Sequence, residues 1–77
     1  MPAIVDRERA GGVSRRLGRL LADSDVAAIA FLTENSALLR QTFGKHFPQI
    51  EAATGEFDFA AALGALRRAA DELEIAL

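Results

Sequence analysis

His46 is the one side chain in this sequence whose ordinary titration falls near neutral pH, and its chemistry would be that of a phosphoacceptor or a general base. Phe47 and Pro48 follow it directly, so it sits at a helix end or in a loop, where a partly exposed histidine between two helices serves structure alone. A single histidine cannot build a multi-histidine metal cage. With no cysteine in the chain, a thiolate zinc site and a disulfide are also excluded. The carboxylates fall into two groups, Asp23 with Asp25 and Asp71 with Glu72 and Glu74. A catalytic pair needs a concave, water-poor site that splits its pKa values. Helix capping accounts for the first group, and solvation of a helix end for the second. Ser36, in the string Glu34-Asn35-Ser36-Ala37-Leu38, offers a hydroxyl near the middle of the chain for covalent modification. Arg15, Arg16 and Arg19 offer forked donors that match carboxylates.

These residues sit in a small framework. Seventy-seven residues suffice for one small domain. With 51% apolar and 26% charged residues, the chain is globular rather than disordered. Its formal charge of −2 is uneven: residues 1–22 carry five arginines against Asp6 and Glu8, whereas residues 48–77 carry Arg67 and Arg68 against six acids. A basic first segment beside an acidic last one suggests that the two pack together. The acidic whole opposes a phosphate backbone, so nucleic acid is not an expected partner. The longest apolar run, Val26 to Leu32, is far short of the roughly 20 residues that span a bilayer. The opening Met1-Pro2-Ala3-Ile4-Val5-Asp6 has no secretory pattern, which makes a cytoplasmic location the expectation.

Helical spacing runs nearly throughout, and strand alternation is missing. Gly11-Gly12 costs about 2 kcal/mol of helix propensity, which predicts a flexible arm over residues 1–12 and a bundle over 13–77. Ser14 would then cap a first helix with Val13, Leu17, Leu20 and Leu21 inward, and Asp23-Ser24-Asp25 would end it and cap the next. Ile29, Leu32, Ser36, Leu39 and Phe43 predict one long helix from Asp25 to Thr42, weakest at Thr33-Glu34-Asn35-Ser36, with Gly44 as its left-handed terminus. Pro48 opens a short helix to Thr54, ended by Gly55, with Ile50 and Ala53 inward. Asp58 caps a last helix whose stripe is Phe59, Leu63, Leu66, Ala70, Leu73 and Leu77, with Gly64 beside it for a close approach and Arg67 and Arg68 off it. Short connections favour antiparallel neighbours. The expected fold is all-α: a small antiparallel bundle of three main helices and one short one.

From Leu17 onward the sequence resembles a helical module found at the C-terminal ends of bacterial hybrid sensor kinases and related response regulators. The resemblance rests on Leu20-Leu21-Ala22-Asp23-Ser24-Asp25, on Glu34-Asn35 before Leu38-Leu39-Arg40, on Phe47 with Ile50-Glu51, and on Phe57-Asp58-Phe59-Ala60-Ala61-Ala62-Leu63. Such modules are similar to histidine phosphotransfer domains. Here the His-x-x-Lys-Gly string of those domains is missing, so the resemblance implies docking or regulation in two-component signalling, with a receiver or kinase domain as protein partner. Acyl carrier domains, also acidic helical bundles, place a serine after Gly-x-Asp and before Leu, and Ser36 lacks that context.

The expectation is therefore a non-catalytic interaction module that needs no cofactor or metal and docks through Arg15, Arg16 and Arg19. Self-association is open to it. The alternatives are a carrier or phosphotransfer protein modified at Ser36 or His46, or a small helical subunit of a larger complex.

Overall fold

In a computed structural model the backbone is described for residues 2–75 and 77, and the side chains for residues 8–75 and 77. Five α-helices follow one another: α1 (Pro2–Ala22), α2 (Ala27–Glu34), α3 (Ser36–Phe43), α4 (Phe47–Gly55) and α5 (Phe59–Glu72). A single 3-10 turn, Gly44–His46, joins α3 to α4, and there is no strand among the described residues. The small all-α bundle read from the hydrophobic spacing is the fold of the chain.

Leu17 and Leu21 of α1, Leu32 of α2, Leu39 and Phe43 of α3, Phe47 and Ile50 of α4, and Phe59 and Leu66 of α5 form one buried core. Small residues let the helices close on it: Ala28, Ala62 and Ala69 are fully buried. Val13, Leu20, Ile29 and Leu63 flank the core and stay half-buried. α5 packs most extensively, against α4 and α1.

Four expectations need correction. Gly11-Gly12 does not break the chain's helix: residues 2–12 of the expected arm are helical and continue α1 through both glycines, and Met1 lies outside the described residues. Pro2 suits a first helical turn, and burial of Ala10 and Gly11 supplies packing that outweighs the propensity cost. Ser14 is accordingly no cap. It lies fully buried in the middle of α1, where its Oγ–H donates to the Ala10 carbonyl at 2.6 Å.

The long middle helix is two eight-residue helices joined at Asn35. The Asn35 side chain turns backward and donates to the Phe31 carbonyl at 2.9 Å, while its own carbonyl accepts the first α3 bond from Leu39 N–H. The break falls in Thr33-Glu34-Asn35-Ser36, the string that is weakest in helical terms. Finally, Gly64 meets nothing, and the close approach is made by Gly18. A methyl built there would touch Leu66 at 3.6 Å and Leu63 at 3.8 Å.

The remaining boundaries follow the sequence. Gly44 ends α3 at φ 52°. Pro48 lies in the first turn of α4, and Asp58 caps α5 by accepting from Ala61 N–H at 3.2 Å. α5 stops at Glu72, which leaves Leu73 and Leu77 exposed beyond the stripe they were expected to extend. No described helix is long and apolar enough to cross a membrane.

Candidate partner-binding face

α1 sets the geometry of the three arginines. Leu17 and Leu21 face the core, so Arg15 and Arg19, one turn apart, emerge on the far side and are exposed. The Arg15 guanidinium folds back along its own helix. Its Nη1 lies 3.3 Å from where a methyl on Gly11 would stand, so the glycine pair leaves a shelf for it. Arg16 points elsewhere. Its guanidinium lies over the Phe31 ring, 5.9 Å from the centroid, and ties α1 to α2. The structure thus places Arg15 and Arg19 on one face and turns Arg16 toward the core's edge.

Internal pairing of this basic face with the acidic last helix was the competing expectation. Among the described residues no ion pair joins Arg16 or Arg19 to α5. Glu72 of α5 is instead 3.4 Å from His46 Nε2.

That contact defines the environment of His46. The residue closes the 3-10 turn, its side chain is 22% exposed, and Phe47 beside it is buried. When the imidazole is protonated, the contact with Glu72 becomes a charge-assisted bond that fastens the α3–α4 corner to the end of α5. Ser36 lies elsewhere, half-buried as the first residue of α3. The two candidates for covalent modification therefore sit on different elements.

Capping accounts for Asp25 but not for Asp23, which is exposed and whose carboxylate accepts no hydrogen bond among the described residues. Asp25 accepts from Ala27 N–H at 2.9 Å, and Asp58 caps α5. Asp71, Glu72 and Glu74 are exposed. No group of three or more histidine, aspartate or glutamate side chains among the described residues is arranged to hold a metal ion.

Sequence reasoning missed Arg40. Its guanidinium stacks on the Phe47 ring at 5.5 Å from the centroid and reaches Glu51 at 3.8 Å, linking α3 to α4 across the turn. No motif marks this, because six residues of helix and turn separate Arg40 from Phe47 and only the fold closes the gap. Comparison with protein-family models, with characterised proteins and with solved structures yields no match.

Proposed function

We propose that the chain is a non-catalytic docking module that binds an acidic protein surface through the outer face of α1. The observation that carries this reading is the placement of Arg15 and Arg19 one helical turn apart on an exposed face, in the basic segment of an otherwise acidic chain. Guanidinium forks on a rigid helix suit carboxylates held on a partner's surface, and such a face steers association electrostatically. Arg16 contributes by holding α1 against α2 rather than by touching the partner. The resemblance to modules of bacterial two-component systems makes a receiver or kinase domain in the cytoplasm the proposed partner.

Titration calorimetry of the chain against a receiver domain tests this. Arg15→Glu with Arg19→Glu should weaken binding by about tenfold or more at low salt while leaving the melting temperature unchanged. A melting temperature that falls with the reversal means that these arginines hold the fold together internally, and overturns the reading.

Ser36 supports a second reading, because it opens a helix, as a carrier serine does. Intact mass after expression in the native host decides between them: an added group on Ser36 makes the chain a carrier. Radiolabelled phosphate transferred to the chain and lost in His46→Gln would make it a phosphotransfer protein.

A further inference from the structure

The face formed by α4 and α5 carries a charge pattern that complements itself. An open groove of about 600 Å³ runs between these helices. Its floor is Ala52 and Ala53 of α4 with Ala61 and Gly64 of α5. One end, at the turn joining the helices, is acidic through Glu56 and Asp58. The other is basic through Arg67 and Arg68, about 15 Å further along α5 at 1.5 Å per residue. All four charged residues are exposed, and neither arginine makes an ion pair among the described residues. An acid four residues after Arg67, Asp71, is in helical register for one but does not form it.

We propose that this groove is the interface of a symmetric homodimer. A two-fold axis lying in the interface and crossing the groove at right angles sets the acidic end of one copy on the basic end of the other, twice over. Such an isologous contact closes on itself and needs no second surface. Apart from Gln49 of α4, the groove between its charged ends is lined by alanine and glycine alone, so the two helix pairs can approach closely and pack as four helices. A Cβ on Gly64 would meet nothing within 4 Å, so the space above it is not taken by this chain's own core and is open to a second copy.

Phe57 fits the same arrangement. It lies between the two acidic residues at the groove's end, is 64% exposed, and touches Phe59 edge-on with centroids 6.2 Å apart. In the antiparallel pairing its ring comes beside the other copy's arginines, where an aromatic face and a guanidinium attract. This interface lies on α4 and α5, apart from the α1 face, so either proposal can fail without the other.

Sedimentation equilibrium of the full chain from micromolar to millimolar concentration tests it, with circular dichroism confirming that each variant is folded. The wild type should dimerise reversibly. Gly64→Gln keeps a good helix former in open space but fills the groove, and it should weaken the dimer by about tenfold or more. Arg67→Glu with Arg68→Glu, and separately Glu56→Lys, should each weaken self-association through like-charge contact. An equimolar mixture of those two variants should pair more tightly than either variant alone. One contact of the mixed pair is then the native one, and in the other the introduced lysine meets glutamates in place of arginines, with Asp58 still opposing them. A wild type that stays monomeric throughout overturns the proposal. So does a dimer that keeps its affinity in Gly64→Gln or in the arginine reversal, or a mixture that pairs no more tightly than either variant alone.

Discussion

Ser24, Phe57 and Glu74 hold φ values of 53°, 63° and 59°, in the left-handed region where glycine is the usual residue. Each ends a helix in the same way. The residue after it donates its N–H back five positions, as Asp25 does to Leu20, Asp58 to Ala53 and Ile75 to Ala70, while the left-handed residue itself donates back three. The paired bonds satisfy carbonyls that a helix end leaves open, which offsets the roughly 1–2 kcal/mol a Cβ costs in this conformation. Ser24 is exposed, so replacing it tests that cost cleanly. Ser24→Gly should raise stability by about 0.5–1 kcal/mol, read as a higher melting temperature, and Ser24→Val should lower it. The sequence announced one left-handed position, Gly44, by its residue type. The other three were illegible because the chain's need to turn at Asp25, Asp58 and Ile75, rather than any local preference, imposes them.

At the scale of elements, hydrophobic spacing located the helices well and their breaks less well. Leu17 with Leu21, Leu39 with Phe43, and Phe59 with Leu66 are each buried where their periodicity put them. The errors came where propensity and packing pull in opposite directions. Gly11-Gly12 argues for a break, but the helix continues because Ala10 and Ser14 on the same face are buried and the Ser14 hydroxyl bonds within the turn. Nothing local in the sequence weighs that burial against the glycines. Arg15, expected as a partner contact, also explains the pair in a way that residue types alone did not suggest, since its guanidinium occupies the room that side chains would take. The first half of α1 is therefore held at a propensity cost that substitution can remove. At Gly12 a methyl would come no closer than 4.0 Å to Arg15, so Gly12→Ala should stabilise α1 by up to about 1 kcal/mol. Slower amide hydrogen exchange in residues 5–15, with α5 unchanged, is the expected outcome. Exchange that does not slow would mean that the glycines carry no helical cost here.

For the whole molecule, size decides how much any one contact matters. At roughly 0.05–0.15 kcal/mol per residue, a chain of 77 residues has about 4–12 kcal/mol of net stability. The core that provides it is one layer of side chains shared by five helices, with α5 as the element all others reach directly or through a neighbour. Leu63 and Leu66 were both expected on its buried stripe, and the structure separates them. Both lie against Gly18, but Leu66 is fully buried whereas Leu63 stays half-buried at the edge. Leu66→Ala should cost about 2–5 kcal/mol, because the truncation leaves a void that α1 cannot fill without moving its backbone at Gly18. Against the lower end of that total, such a loss unfolds much of the population, and at its upper end it shows as a lower urea midpoint. Leu63→Ala removes less buried area and leaves a gap that water can enter, so its cost should be about half as large and the chain should stay folded. Urea titration followed by circular dichroism measures both. Equal losses at the two positions would mean that Leu63 is buried as deeply as Leu66, and that α5 is rotated about its axis relative to the arrangement described.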